Sequence, residues 1–352
     1  MSIRSAAPAL AAALLFGAST PLAKTLTGAI SPILLAGLLY LGSGLGLTAV
    51  LLARRLIART GDSAPAASSI PRREIPWLLG AILVGGVAGP ALLMTGLATT
   101  SAAAASLLLN VEGVFTALIA WVVFKENADR QIVLGMVAIV AGGALLSWQP
   151  NAAALSLGAL LIVAACACWA IDNNLTRKVS SNDAVMIACL KGLVAGTCNT
   201  GLALAVGNTL PAALPLIWAM VVGFVGYGVS LALFVIALRH LGTARTGAYF
   251  SVAPLFGVTI SLALWPEMPS ILFWLAAVLM ALGVWLHLRE RHEHEHTHEA
   301  MEHTHPHRHD EHHQHTHDFP WDGKEPHVHA HVHEPLVHKH PHYPDIHHRH
   351  SH

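Results

Sequence analysis

This sequence has few charged residues. Only 11% of its 352 residues are Asp, Glu, Lys or Arg, while 54% are hydrophobic. A soluble globular domain carries about 25% charged residues. The composition therefore argues against a single water-soluble domain. The 20 basic and 20 acidic residues balance, so no net charge favours nucleic acid as a partner.

Cysteine and the known catalytic motifs are scarce or absent as well. The four cysteines lie in apolar segments without a C-x-x-C pair, which indicates small packing residues rather than a disulfide framework. The sequence has no Walker loop, no G-x-S-x-G elbow and no H-E-x-x-H zinc motif. We predict that the chain is not an enzyme, needs no cofactor for its apolar part, and draws any transport energy from a gradient or from exchange.

The even total of charges hides two unlike regions. Residues 1–291 contain 16 Lys or Arg, 9 Asp or Glu and 2 His. Residues 292–352 contain 4 Lys or Arg, 11 Asp or Glu and 23 His. The chain is thus an apolar body followed by a polar, histidine-rich tail.

The body consists of apolar runs of membrane-spanning length. A bilayer core about 30 Å thick needs about 20 apolar residues in a helix. We predict an all-α integral membrane fold of ten transmembrane helices, near residues 8–26, 33–53, 77–97, 101–124, 132–149, 155–175, 184–206, 214–238, 243–265 and 271–288.

The basic residues between the spans predict the orientation. With the N-terminus in the cytoplasm, Lys24 lies outside and Lys191 within a span, and all the other basic residues of the body lie inside. We expect both termini in the cytoplasm and the protein in the inner (plasma) membrane. The first run has some features of a signal peptide, but the charge alternation favours a retained helix. The inside residues are Arg4, Arg54, Arg55, Arg59, Arg72, Arg73, Lys125, Arg130, Arg177, Lys178, Arg239, Arg245, Arg289 and Arg291.

The body repeats itself at an offset of 141 residues. The segment Ser101–Glu126 aligns with Gly242–Glu267, so that Phe115 meets Phe256 and Glu126 meets Glu267. Two halves of five spans follow, at 1–150 and 151–291. Because five is odd, the second half enters the membrane inverted relative to the first. This is an architecture of alternating-access transporters, which bind cargo near the midplane.

Three stretches resemble the EamA type of the drug/metabolite transporter (DMT) superfamily: FGASTPLAK in the first span, the fourth-span run ending at Glu126, and its copy ending at Glu267. The resemblance covers about residues 8–288. It implies a ten-helix bundle with cytoplasmic ends that transports small organic solutes, often outward, by a secondary mechanism. The chain departs from the pattern at Gly113, where many members have a proline like Pro254 of the ninth span.

Three ionisable residues lie well inside predicted spans: Glu112, Asp172 and Lys191. Each costs about 2.5–3.5 kcal/mol at a helix centre. Glu112 or Asp172 would bind a cationic group or carry a proton, and Lys191 would neutralise an acid or hold an anion. The alternative is a Lys191–Asp172 ion pair that only fixes helices. The candidate transport site comprises Glu112, Trp169, Asp172, Asn173, Asn174 and Lys191.

The tail has too few aliphatic residues for a core, and we predict that 292–352 is disordered. Its histidines alternate with other residues, which places them on one side of an extended chain. Neutral imidazole is a good ligand for Zn, Ni, Co or Cu, so we predict a metal-binding tail. A solvated, pH-responsive tail without metal is the alternative. The candidate ligands are His292, His294, His296, His298, His303, His305, His307, His309, His327, His329, His331, His333, His338, His340 and His342.

Two functional hypotheses follow. The first is a secondary transporter, an exporter, in the lipid bilayer, whose cargo is a metabolite, a divalent metal or a metal chelate. The second is a membrane-anchored metal store or sensor without transport. The sequence leaves a homodimer open.

Overall fold

The computed structural model describes residues 3–58, 70–123, 130–149, 154–179, 182–241, 246, 249–266, 269–288, 293–298, 301–307, 327–333 and 336–341. The chain forms two compact units, Met1–Glu290 and Arg291–His352. We describe each unit by itself.

The described residues of the first unit form helices, the turns between them and one short hairpin, in which β1 (Trp148–Gln149) pairs with β2 (Ala154–Leu155). A short 3-10 turn, Arg72–Glu74, precedes the third helix. The α-helices are α1 Ile3–Lys24, α2 Pro32–Ala58, α3 Ile75–Ala81, α4 Gly89–Thr99, α5 Ala102–Leu108, α6 Val111–Val123, α7 Arg130–Ser147, α8 Leu157–Arg177, α9 Ala184–Ala205, α10 Ala213–Gly223, α11 Ser230–Leu241, α12 Ala253–Leu264 and α13 Ile271–Leu288.

Apolar helices lie at every position where the sequence predicts a span. Within the described residues, seven helical segments are long and apolar enough to cross a membrane. Three shorter apolar helices, Val133–Ser147, Ala253–Leu264 and Ile271–Leu286, occupy the remaining positions. The prediction of an integral membrane protein built from helices is confirmed, and the ten-span topology stays a prediction.

Glycines bring the backbones of neighbouring helices together. A side chain at Gly192 of α9 would meet the backbone of Gly44 in α2, and one at Gly42 would meet Met220 of α10. Because lipid is as apolar as the helix surfaces, close packing of small residues is what holds such helices together.

Two stretches of π-helix interrupt the bundle at related positions. The first, Ile82–Ala88, joins α3 to α4, and the second, Phe224–Val229, joins α10 to α11. They contain Gly85 and Gly226, which stand 141 residues apart, at the offset of the sequence repeat. A π-helical turn shifts the hydrogen bonds to i→i+5, and such turns are frequent at functional sites.

Two further helices are broken at matching positions. A turn at Leu109 and Asn110 separates α5 from α6, and the Asn110 side chain donates to the carbonyl of Leu107 at 2.9 Å. A turn at Ser251 and Val252 precedes α12. Ser251 stands 141 residues beyond Asn110, which is again the offset of the sequence repeat. Each half of the body thus contains one π-helical stretch and one broken helix.

The second unit contains paired strands where we predicted disorder. Strand β3 (Glu293–His298) pairs with β6 (Leu336–Pro341), and β4 (Met301–His307) pairs with β5 (His327–His333), both antiparallel. These four segments are strands in the structure, and the disorder of the tail as a whole stays a prediction. The histidines alternate with other residues along each segment, and alternation is a strand pattern as well as a ligand pattern.

Candidate substrate cavity

One cavity in the first unit brings together the three ionisable residues that lie inside predicted spans, Glu112, Asp172 and Lys191. It offers about 70 Å³ to the centres of water-sized molecules, which is room for a few waters. Its walls come from both halves of the body. They are formed by Phe16, Tyr40, Glu112, Trp169, Asp172, Asn173, Lys191, Gly226, Tyr227, Ser230, Leu231, Phe234 and Phe250.

An ion pair between α8 and α9 forms one side of the cavity. Lys191 Nζ lies 2.6 Å from Asp172 Oδ1 and 2.7 Å from Oδ2. The Thr176 hydroxyl donates to Asp172 Oδ1 at 2.8 Å and accepts from Lys191 at 3.3 Å. The side chains of Lys191 and Asp172 are only 2% and 9% exposed. Such a buried pair is strongly destabilised when one partner is removed.

Close packing holds the Asp172 carboxylate in place. Gly85 of the first π-helical stretch lies so near that a side chain there would collide with the Asp172 carboxylate. Only glycine at position 85 leaves room for the acid. Gly89, one turn further on, lies against the Trp169 indole.

Glu112 forms the other charged part of the wall. It lies in the first turn of α6, where the helix dipole favours a negative charge. Its Oε1 accepts a hydrogen bond from Asn173 Nδ2 at 2.8 Å. The residue is half-buried. Within the described ranges, the ion pairs join Lys191 to Asp172 and Arg73 to Glu74, so Glu112 has an amide rather than a cation as its partner there.

Aromatic rings form much of the rest of the wall. The ring of Phe16 lies 5.7 Å from Trp169, 5.9 Å from Tyr227 and 5.4 Å from Phe250, between centroids. Tyr40 and Tyr227 are 5.4 Å apart. Phe16 and Tyr40 belong to the first half of the sequence and the other three to the second half, so the two halves meet at these rings.

Side chains use carbonyl groups of the first π-helical stretch. The carbonyl of Gly85 accepts from Trp169 Nε1 at 2.9 Å and from the Tyr40 hydroxyl at 3.2 Å. The carbonyl of Val87 accepts from Asn199 Nδ2 at 3.1 Å. The π-helical turn therefore links α2, α8 and α9 around the cavity.

The family follows from a comparison with known proteins. A model described as "EamA-like transporter family" matches residues 5–148 and again residues 156–289. The chain belongs to the EamA-like transporter family. It is a multi-pass membrane protein of a transporter family, and its surroundings are the lipid bilayer.

Two further similarities agree with this family. An "Uncharacterized transporter" from Methanothermobacter thermautotrophicus is 27% identical over 287 residues, which cover 79% of this chain and 84% of that protein. A solved crystal structure superposes with a TM-score of 0.60 at 18% identity, covering 81% of this chain and 96% of the other. At that identity the likeness concerns the fold alone.

Five of the six predicted transport residues of this EamA-like transporter line the cavity: Glu112, Trp169, Asp172, Asn173 and Lys191. Asn174 is not among the lining residues, because its Nδ2 donates to the carbonyl of Ala170 one turn back in α8. Sequence reasoning missed Phe16, Tyr40, Tyr227 and Phe250. An aromatic residue in an apolar span carries no signal of its own, although the repeat could have drawn attention to the stretch around Gly226.

The remaining predicted residues fall elsewhere. Glu126 and Glu267 lie outside the described residues, as do His292, His309 and His342. The other candidate metal ligands lie on β3 to β6. In the part of the chain whose side chains are described, no group of three or more His, Cys, Asp or Glu residues is placed to hold a metal ion.

Proposed function

We propose that this EamA-like transporter is a secondary exporter of a small solute, and that the cavity between its halves is the transport site. The observation that carries the proposal is that both halves of the body contribute side chains to the wall of one cavity. Charged and aromatic side chains from α1, α2, α6, α8 and α9 and from the second π-helical stretch converge on one space inside an apolar bundle. Ionisable groups at this depth are expensive and are typical of substrate or ion pathways.

Matching helix contacts support two inverted five-helix halves. The helix α1 packs against α12 and the second π-helical stretch, and α8 packs against α6 and the first stretch. Likewise α2 packs against the second stretch and α9 against the first. Helices of each half therefore pack against the interrupted helices of the other half. Interrupted helices at corresponding positions of the two halves are a pointer to the binding site of inverted-repeat transporters.

The proposed cycle follows from this arrangement. The two halves rock against each other around the cavity and open it first to the cytoplasm and then to the outside. We place the protein in the inner membrane with ten spans and both termini in the cytoplasm. The orientation is testable with a reporter fused to the C-terminus, which we expect to be active only when it is of the kind that functions in the cytoplasm.

Transport is tested with purified protein reconstituted into vesicles. Accessibility of the cavity would be followed with a single cysteine introduced at Ser230 in a variant whose native cysteines are replaced by alanine. Under alternating access, a membrane-impermeant thiol reagent labels this cysteine from both sides in separate experiments. Labelling from one side only, under every gradient tested, would contradict the proposal.

We propose in addition that the tail binds a divalent transition metal such as Zn, Ni or Co. The strand register supports this, because it pairs His303 with His331, His305 with His329 and His307 with His327. Residues opposite each other in an antiparallel pair have Cβ atoms about 4.5–5.5 Å apart. Alternate histidines of each strand share one face of the ribbon.

The metal proposal is tested on the full-length protein by calorimetry with Zn and Ni. Changing His303, His305, His329 and His331 to alanine should weaken binding, whereas changing Thr304, Val328 and Val332 on the alternate positions should not. Equal affinity of the two variants would contradict a paired-strand site. A metal-binding protein that moves no solute would instead favour the membrane-anchored store or sensor.

A further inference from the structure

The cavity contains two acids, but only one of them has a basic partner among the described residues. We propose that the cargo of this cavity is an organic cation, an amine or quaternary ammonium on an apolar body, and that Glu112 is its counter-charge. This inference rests on the proposed transport function and names the class of its substrate.

Lys191 already neutralises Asp172 within the cavity wall. Both of its carboxylate oxygens lie within 2.7 Å of Lys191 Nζ, and one of them also accepts from Thr176. The pair is neutral as a whole, and its geometry leaves the ammonium of Lys191 occupied by these partners. Neither residue is free to bind a charged cargo without first breaking a buried ion pair.

Glu112 is the second acid of the cavity wall. Among the described residues, its carboxylate accepts a hydrogen bond from the Asn173 amide at 2.8 Å, and the residue is half-buried on the cavity wall. With Asp172 and Lys191 cancelling, the described wall carries one net negative charge when Glu112 is ionised. A carboxylate away from water is stabilised by an opposite charge, and the side of Glu112 that faces the cavity is where a cargo would supply it.

Aromatic side chains line the cavity together with Glu112. Phe16, Tyr40, Trp169 and Tyr227 line the same space. Aromatic faces attract cations, with the largest effect where water is excluded, and aromatic cages are a recurring way to hold quaternary ammonium groups. The same rings contact the apolar part of a cargo. A bare divalent metal would find no set of three donors among the described side chains, and an anion would be repelled by Glu112.

Binding to the full-length protein tests this inference with a matched pair of probes. Benzyltrimethylammonium and neopentylbenzene have the same shape, but only the first is charged. We expect wild-type protein to bind the cation more tightly, measured by calorimetry or by quenching of tryptophan fluorescence. Glu112→Gln should weaken binding of the cation about tenfold to a hundredfold and leave the neutral probe unchanged.

Three further variants keep the test decisive. Glu74→Gln removes a carboxylate that binds Asn182 and Arg73 near the start of α3, and it should leave the affinity for the cation unchanged. Glu112→Asp keeps the charge and should retain most of the selectivity for the cation, which guards against a Gln variant that fails to fold. Phe16→Leu should lower the affinity for the cation more than that for the neutral probe.

Binding and transport separate the two claims. If the cation binds no more tightly than its neutral isostere, or binds equally well to Glu112→Gln, the organic-cation inference is wrong whatever the vesicles transport. If the cation binds in a Glu112-dependent way but vesicles do not move it, the transport function is wrong and the binding site stands. Movement of only neutral or anionic solutes would overturn the cation inference while leaving a transporter.

Discussion

The two sides of the cavity are built differently. On the Asp172 side, a buried ion pair, a threonine hydroxyl and Gly85 fill the space around the carboxylate. On the Glu112 side, one amide contacts the carboxylate, and a side chain added at the neighbouring Gly113 would meet nothing within 4 Å. The first side is packed like a helix–helix contact, while on the second the carboxylate has one amide partner among the described residues. Under our proposal, buried charge serves structure at the first position and is available for binding at the second.

The largest expected effect comes from breaking the packed side. Lys191→Met leaves Asp172 buried without its partner, and we expect the free energy of unfolding in detergent to fall by about 3–5 kcal/mol. The double variant Lys191→Met with Asp172→Asn removes both charges and should recover much of that loss. If the single variant is as stable as wild type, the pair does not hold α8 to α9.

A pair of glycine substitutions compares the two sides directly. Gly85→Ala pushes a methyl group into the Asp172 carboxylate and should lower stability by about 1–3 kcal/mol. Gly113→Ala, in α6 beside Glu112, should be neutral or stabilising by up to about 1 kcal/mol, because alanine favours a helix more than glycine does. Thermal unfolding of both variants checks this, and equal effects would show that the two sides are packed alike.

The hydrogen bond on the open side should matter less to stability. Asn173→Ala removes the amide that donates to Glu112, and we expect a loss of about 1 kcal/mol. Its larger effect should fall on the binding of benzyltrimethylammonium, because the carboxylate would lose the group that orients it. A variant with lowered stability and unchanged binding would assign Asn173 a purely structural role.

The smallest expected effect lies away from both sides, at the end of the first helix. Lys24 Nζ contacts the carbonyls of Leu97 and Ala98 at the C-terminus of α4, the latter at 3.3 Å. A cation at a helix C-terminus contributes about 0.3–1 kcal/mol. We expect Lys24→Met to lower stability by that amount and to leave cation binding unaltered, measured under the same conditions.

Several features of the fold follow from local sequence. Apolar runs long enough to cross a bilayer predicted the helices because backbone groups in lipid must be satisfied within the segment. Gly42, Gly192 and Gly196 each lie against a neighbouring backbone, which is where a small residue lets two helices approach closely. Glu112, Asp172 and Lys191 were conspicuous because charge is so rare in this body. In the tail, local sequence does not decide between strand and solvated chain, since alternating histidines fit both patterns.

The sequence by itself determined where helices form, where the apolar body ends and which charged residues are exceptional, since each of these is a property of one segment in its solvent. Only the tertiary structure decided that Lys191 pairs with Asp172 rather than with Glu112, and that Phe16, Tyr40, Trp169 and Tyr227 enclose one space with Glu112. Those choices depend on how several helices approach one another, and a distance between side chains on different helices is not encoded in the periodicity of any one of them.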